Sequence, residues 1–517
     1  MFHQLTKLRS FIILALVCSL FGCKKSKTSI PGHNDDATVA LVTGLNGITE
    51  PCGCTSKPLG GLDRMATLIQ SQTNEAPTWL VVTGNTLFSE VEIEPEMLAQ
   101  ARLKALTIAK VLKTLEPVAM VLGENDEARS MLEDLYPDYN ALKLPIFTVP
   151  KIGQPSERVV DGTIHSYQGF KVGFMGMSHY KSGSLVSPDY FSRAAIGLRA
   201  QGARLVIALL PFVSDEAEKF SGGFRGIDIV VAGGQEEVVS GPKTLKNGVI
   251  LVDAGSDGKY VGFVRLKHLQ KEGPMTYFDE GKAKSKSLAA RIKHLKDALT
   301  ELSPGPGADA RKAKLLKLEK EYDDFRVTEP QGPYFTWELS RVEQSLRSDT
   351  KSEVLLNKFN RSLCDVRNRL EKDLDCGRAV PIQDNFLGNQ ACIACHGAAF
   401  KVWQGTEHAQ AWATLENKGK ECDVGCVACH SVGFQKPGGF CRLMDKAPFV
   451  NVGCENCHGP GAGHAENPGD RTLWSKRFVA KPTADVCREC HNQTHSDEFN
   501  FDTYLPRILG PGHGAQP

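Results

Sequence analysis

Four copies of the pattern Cys-x-x-Cys-His lie between residues 392 and 491 of this 517-residue chain. Chance would supply roughly 0.01 copies in a chain with this many Cys and His. Two thiols so spaced form thioether bonds to the vinyl groups of a haem, and the adjoining His binds the iron as proximal ligand. The pattern predicts four covalently attached c-type haems. In chain order, motifs 1 to 4 supply Cys392, Cys395 and His396; Cys426, Cys429 and His430; Cys454, Cys457 and His458; and Cys487, Cys490 and His491.

Structural zinc is the main alternative to haem at these motifs. Paired Cys-x-x-Cys units can hold zinc, and four of them would make two four-thiolate sites. Zinc does not require a His directly after each second Cys, yet all four copies have one. The haem interpretation also needs an exported protein, because c-type haem is attached outside the cytoplasm.

The N-terminus carries a signal for export. Two basic residues precede the apolar run 11–21, which is too short to span a bilayer but typical of a secretory signal. The run ends in Leu20-Phe21-Gly22-Cys23, which resembles the lipobox of bacterial lipoproteins. That resemblance implies that residues 1–23 are a signal peptide and that Cys23 is lipidated. It also implies a bacterial envelope location on the periplasmic side, outer membrane favoured, or the cell surface; the alternative is an ordinary signal with an incidental Cys.

The composition fits a folded region that a flexible linker joins to the N-terminal anchor. Residues 24–37 are polar and predict a flexible linker. The net charge of +1 gives no basic field for nucleic acid. Six cysteines remain when those of the signal, the lipobox and the haem motifs are set aside. An oxidising compartment favours disulfides among these six. Proximity in sequence favours pairing Cys364 with Cys376 and Cys422 with Cys441, which leaves Cys52 and Cys54.

Residues 38–280 predict an α/β domain with layered sheets. A Leu- and Ala-rich segment at 95–115 has the pattern of a helix. Short β-branched runs before and after it predict buried strands at 38–43, 79–83, 118–122, 171–176, 205–210, 227–232 and 249–254.

The turns after these strands resemble those of calcineurin-like metallophosphoesterases, particularly periplasmic 5′-nucleotidases. The residues that carry the resemblance are Pro51-Cys52-Gly53-Cys54, Gly60-Gly61-Leu62, Ile227-Asp228-Ile229-Val230 and Ala254-Gly255-Ser256. The resemblance implies two metals held by five motifs at strand ends. Each motif is degraded here: they fall on Gly44-Leu45-Asn46, Gly84-Asn85, Gly123-Glu124-Asn125-Asp126, Pro211-Phe212 and Gly233-Gly234-Gln235-Glu236.

No imidazole survives at these motifs, and the amides left behind are poor ligands for a catalytic pair of metals. The domain is therefore predicted to be an inactive pseudo-phosphatase. Cys52 and Cys54 are open to a structural role or to a metal or redox role.

Residues 281–375 predict a helical hairpin and spacer. Apolar residues recur at spacings of three and four on both sides of the break at 303–307, so two helices should fold back on each other. A third helix with a stripe from Leu356 to Leu370 follows a strand at 334–339. The charged positions between the stripes are interpreted as solvated surface.

Residues 385–517 predict a mainly α and irregular domain in which haems supply much of the apolar core. Its motifs resemble the tetrahaem cytochrome c that accepts electrons from hydroxylamine oxidoreductase, and the wider set of multihaem cytochromes built on that module. The features that match are Trp403 with His408-Ala409 after motif 1, Lys436-Pro437-Gly438-Gly439-Phe440, Gly459-Pro460-Gly461 with His464 after motif 3, and Phe499-Asn500-Phe501 near Tyr504.

Distal ligands decide what such haems do. A second His closes the iron and favours electron transfer, whereas an open position permits substrate binding. The resemblance implies that His408 and His464 are distal ligands, and His495 is a further candidate. His513 lies in a Gly- and Pro-rich tail and is not assigned to iron. Met444 is interpreted as filling a gap in the core.

These features predict a lipid-anchored tetrahaem cytochrome that transfers electrons between redox proteins. The alternative is a haem-based reductase or oxidase of small nitrogen compounds at one open iron. A working metallophosphoesterase is disfavoured by the missing ligands.

Overall fold

Two six-stranded β-sheets form the centre of the N-terminal region. The computed structural model describes residues 35–51, 58–93, 95–126, 141–147, 161–178, 187–233, 241–279, 282–300, 305–324, 330–374, 381–436, 438–492, 496 and 498–510. The strands are β1 (Ala37–Thr43), β2 (Thr78–Gly84), β3 (Ala119–Leu122), β4 (Asp161–Tyr167), β5 (Phe170–Gly176), β6 (Leu205–Leu210), β7 (Ile229–Ala232), β8 (Lys243–Thr244), β9 (Ile250–Val252), β10 (Tyr260–Lys267), β11 (Thr276–Tyr277) and β12 (Tyr334–Arg341).

Sheet 1 has the order β11-β12-β10-β1-β2-β3, and sheet 2 has the order β4-β5-β6-β7-β9-β8. In sheet 1, β1 pairs in parallel with β2 and antiparallel with β10. In sheet 2, the run β5-β6-β7-β9 is parallel. All seven residues of β1 are buried, as expected of a strand covered on both faces.

The two sheets pack face to face, and helices cover their outer faces. Val39 and Val81 of sheet 1 share one core with Phe174 and Ile207 of sheet 2. Helices α1 (Leu62–Glu75) and α2 (Pro95–Thr114) cover sheet 1, while α3 (Pro188–Ala200) and α4 (Ser214–Ser221) cover sheet 2. The predicted α/β class with layered sheets is confirmed.

The predicted hairpin forms α5 (Lys282–Thr300) and α6 (Pro306–Asp324), which pack on each other. Helix α7 (Thr350–Leu370) follows β12, and the side chain of Asp349 caps its first turn by accepting from the Ser352 N–H. Leu356 and Phe359 of the predicted stripe are buried, whereas Leu370 is exposed.

The C-terminal region consists of short helices joined by turns. They are α8 (Ile393–Gln404), α9 (Ala411–Glu416), α10 (Val424–His430), α11 (Cys454–His458), α12 (Ala462–Glu466), α13 (Ala484–Arg488) and α14 (Phe501–Tyr504). Within the described residues, no helix has both the length and the apolar character needed to cross a membrane.

The observed disulfide joins Cys364 to Cys422, across 58 residues. The predicted pairs Cys364 with Cys376 and Cys422 with Cys441 are therefore wrong. Cys441 is itself disulfide-bonded, and Cys376, Cys52 and Cys54 lie outside the described residues. Proximity in sequence failed because α7 packs its C-terminal half against the segment that leads into motif 2, which brings distant cysteines together.

Candidate functional site

Each attachment motif lies at a short helix or one of its ends. Motif 1 begins at the residue before α8, motif 2 closes α10, motif 3 forms α11, and motif 4 begins within α13. A helical turn places residues three and four apart on one face. In motifs 2 and 3, which are helical throughout, the two thiols and the imidazole therefore face the same side, as covalent attachment of one haem requires.

Two of the motif histidines are oriented by backbone carbonyls. Nδ1 of His430 lies 2.6 Å from the Ala411 oxygen, and Nδ1 of His458 lies 2.8 Å from the Val479 oxygen. Because a carbonyl can only accept, Nδ1 must carry the proton in each ring. Nε2 is then the free lone pair, available to iron.

Two further histidines face motif histidines at a spacing that fits one shared iron. The ring centroids of His396 and His464 are 6.1 Å apart, and those of His408 and His491 are 6.0 Å apart. An imidazole nitrogen binds a first-row metal at about 2 Å and lies about 1 Å from its ring centroid, so two rings on one iron are about 6 Å apart. The predicted residues His408 and His464 therefore stand opposite motifs 4 and 1.

The surroundings hold these rings in place and keep them neutral. His464 packs edge-on against Trp474 and stacks on Phe478, and His491 stacks on Phe499 at 4.6 Å. Burial lowers the pKa of His408, His464 and His491. A lowered pKa favours the neutral ring, the form that binds metal.

The motifs are brought together in two pairs. The thiols of Cys392 in motif 1 and Cys454 in motif 3 hydrogen-bond to each other, as do those of Cys429 in motif 2 and Cys490 in motif 4. Thioether bonds form at these sulfur atoms, so groups attached at paired motifs have adjoining edges. The pairing of motif 1 with motif 3 and of motif 2 with motif 4 could not be read from the sequence.

The remaining candidates have different outcomes. His495 and His513 lie outside the described residues, so the prediction for His495 stays a prediction. Met444 is 82% exposed, and its interpretation as a filler of the core is wrong. It lies in the 3-10 turn Leu443–Asp445 and points away from the cluster in which Phe440 and Leu443 pack.

Motif 2 is held by a helix of the α/β domain. Asp423 caps α10 by accepting from the Gly425 N–H. Gln100 of α2 donates to the Asp423 carboxylate at 2.6 Å and accepts from the Val424 N–H at 3.1 Å. Gln100 and Asp423 are both buried. A buried amide that uses both its polar atoms in this way fixes the start of α10 relative to α2.

The end of α7 forms a second buried link. Arg367 forms an ion pair with Glu371, and its guanidinium lies over the rings of Phe434 and Phe440. The Glu371 carboxylate accepts from the Leu443 N–H at 3.0 Å. Both charged residues are buried and satisfied, so this contact is a specific one.

Side chains at the degraded phosphoesterase motifs brace loops. Asp126 accepts from the N–H groups of Thr86 and Leu87, both at 2.7 Å. The Asn85 oxygen accepts from the Asn125 N–H at 3.0 Å. Burial raises the pKa of Asp126 to about 6, against the opposing effect of its backbone donors. The polar atoms at these positions are thus used within the fold, and the inactivity of the domain stays a prediction.

Reasoning from the sequence missed the bracing residues Gln100 and Asp423. The only local signal was Asp423 before the apolar residue that opens α10, which is a helix-cap pattern. Gln100 lies 323 residues from its partner, so no spacing rule reveals it.

The fold and the site together define a c-type cytochrome region joined to a layered α/β domain. Residues 391–459 match the family of cytochrome c554 and c-prime, which implies covalently bound c-type haem. Cytochrome c-554 of Nitrosomonas europaea is 32% identical over 148 residues, a match that covers 23% of this chain and 62% of that protein. The chain thus spans about three fifths of the length of this relative.

Solved structures similar to the chain include 5′-nucleotidase-like proteins. SoxB of Thermus thermophilus, a sulfate thiohydrolase, has a TM-score of 0.43 at 13% identity over 65% of this chain and 62% of that one. A 5′-nucleotidase precursor of the same organism has a TM-score of 0.41 at 13% identity over 81% and 72%.

Proposed function

We propose that the protein is a lipid-anchored, periplasm-facing tetrahaem c-type cytochrome that transfers electrons between redox proteins. The observation that supports this best is the pair of histidine spacings, 6.1 Å for His396 with His464 and 6.0 Å for His408 with His491. Two imidazoles on one iron close it to substrate and favour outer-sphere electron transfer.

The haems supply one-electron chemistry when bound, and the chain supplies their spacing and environment. Thiols of motifs 1 and 3, and of motifs 2 and 4, adjoin across the fold. Adjoining edges shorten the path between carriers, which supports a chain of haems rather than four isolated ones. His495 is proposed as a further distal ligand, on its position in the sequence alone.

The α/β domain is proposed to position the haems. Gln100 and the Cys364–Cys422 disulfide connect its helices to the segment that carries motif 2. Anchoring at Cys23, with the outer membrane favoured, rests on the lipobox resemblance. The electron donor and acceptor are proposed to be redox proteins. No nucleic-acid partner is proposed, because a net charge of +1 gives no basic field.

Electron paramagnetic resonance of the oxidised holoprotein tests the proposal. Low-spin ferric signals should account for the haems with two His ligands. The alternative, reduction or oxidation of a small nitrogen compound at an open iron, requires a high-spin ferric signal that changes when nitrite or hydroxylamine is added. A high-spin signal from every haem would contradict electron transfer through closed irons.

A further inference from the structure

Glu455, between the two cysteines of motif 3, is a buried carboxylate with only 5% of its surface exposed. It accepts hydrogen bonds from three backbone N–H groups: Gly388 at 2.7 Å and Leu387 at 3.0 Å to Oε2, and Gly461 at 2.8 Å to Oε1. Burial raises the pKa of Glu455, and the three backbone donors oppose that shift and fix the position of the carboxylate.

The segments that donate to Glu455 lead to the two histidines that face each other at motif 1. Gly388 is four residues before Cys392, and Gly461 is three residues before His464. The rings of His396 and His464 are 6.1 Å apart. One side chain of motif 3 therefore ties together both segments that supply ligands for the haem of motif 1.

Space around this carboxylate is limited. A Cβ at Gly461 would lie 3.2 Å from Glu455 Oε1, and Gly388 has a φ of 77°, which favours glycine. The Cys454 N–H donates to Asn389 at 2.8 Å, so motif 3 also holds the residue after Gly388 directly. Backbone N–H groups therefore contact the carboxylate on both sides.

Charge adds a second effect. Glu455 adjoins Cys454, whose thiol hydrogen-bonds to that of Cys392. A carboxylate there is close to the attachment points of two haems. A buried negative charge stabilises the ferric state, which carries one more positive charge than the ferrous state, and so lowers the reduction potential.

We propose that Glu455 is a positioning residue that holds His396 and His464 on one iron, and that its charge lowers the reduction potentials of the haems at motifs 1 and 3. The inference rests on the proposed function, because it needs haem at both motifs. It extends that function by naming a residue outside the ligand set that determines potential.

Redox titration of the holoprotein, followed by optical and paramagnetic resonance spectra, tests this with Glu455→Gln. The matched control is Asp126→Asn, because Asp126 is also a buried carboxylate that accepts backbone N–H groups but lies in the α/β domain. Glu455→Gln should raise two of the potentials, by about a tenfold change in the reduction equilibrium constant, 59 mV for a one-electron couple. Asp126→Asn should leave all potentials unchanged. Glu455→Asp keeps the carboxylate and should raise the two potentials less than Glu455→Gln does.

Gly461→Ala provides a second variant if Glu455→Gln yields no holoprotein. Its added Cβ should displace the segment of His464 and convert one haem to high spin. The proposal would be overturned if Glu455→Gln left the potentials unchanged or shifted those of all haems equally. It would also be overturned if Gly461→Ala kept the spin state of the wild type. Haem content by mass is measured in the same samples, so four haems with unshifted potentials would reject this inference and leave the proposed function intact.

Discussion

Histidines in the cytochrome region differ in what holds their rings. His430 and His458 donate from Nδ1 to backbone carbonyls, which fixes the tautomer of a ligand that follows two attachment cysteines. His464 is instead held by aromatic rings, stacked on Phe478 and edge-on to Trp474. A ligand on a separate segment needs such packing, because no thioether bond fixes its distance from the haem.

Replacing His464 by Ala should convert the haem of motif 1 to high spin, and replacing His408 by Ala should convert the haem of motif 4. Each change removes the ring that faces His396 or His491. Paramagnetic resonance of the ferric protein measures the number of high-spin haems.

The control for both is His294→Ala, at an exposed position of α5. It should keep the spectrum of the wild type. If His464→Ala and His408→Ala also kept that spectrum, the two residues would not be iron ligands.

Asp126 should make stability depend on pH. Burial raises its folded pKa to about 6, above the unfolded value of about 3.9. The folded state then binds the proton more tightly, so the stabilisation is complete below about pH 4 and is lost as the pH rises to about 6. The loss is at most about 3 kcal/mol. Asp126→Asn should lack this slope in denaturation curves measured from pH 4 to pH 7.

Asp189→Asn, at a carboxylate that is 66% exposed, is the control and should keep the slope of the wild type. Equal slopes in wild type and Asp126→Asn would show that the folded carboxyl titrates as the unfolded one does.

Among the elements, α7 connects the two regions most directly. Its inner face packs with α2 on sheet 1, and its C-terminal half carries Cys364 and Arg367 to the cytochrome region. Because α7 packs in the cores of both regions, a displacement of one region would displace the other.

The variant Cys364→Ala with Cys422→Ala should lower the free energy of unfolding by about 2–5 kcal/mol, because the disulfide constrains the unfolded chain. Denaturation by urea, followed by circular dichroism, measures the change. Val354→Ala, at a 60% exposed position of α7, should change stability by less than about 0.5 kcal/mol. Equal stability of the double variant and wild type would show that the bond does not constrain the unfolded state.

The elements were predictable where burial leaves a local pattern. Continuous β-branched runs gave β1, β2 and β6, because strands covered on both faces are apolar throughout. Strand β10 (Tyr260–Lys267) was missed, since Arg265 and Lys267 interrupt its run. The haem motifs were predictable because attachment chemistry fixes their spacing. The Cys364–Cys422 pair and the Gln100 contact were not, because they depend on how distant segments pack.

As a whole molecule, the protein joins a scaffold with two facing sheets to a region that has little regular structure of its own. Links between them among the described residues include the Cys364–Cys422 disulfide, the Gln100–Asp423 contact and the hydrogen bond from the Leu443 N–H to Glu371. Such links fix the segment of motif 2 relative to the α/β domain.

Full-length protein given manganese or zinc should therefore hydrolyse no nucleotide or phosphodiester above background. Asn85 and Asp126, at two of the degraded motifs, bind backbone groups instead, and a metal site that lacks its usual ligands cannot polarise a phosphate. Turnover that needs metal and is abolished by changing Glu124 or Asp126 would show that the domain is an enzyme.

The proposed function depends on four covalently bound haems. Intact mass of the exported protein, combined with a haem stain and metal analysis, measures this most directly. We expect a mass increase equal to four haems, with four irons per chain and no zinc. A protein from a cell competent in haem attachment that carried zinc and no haem would contradict it.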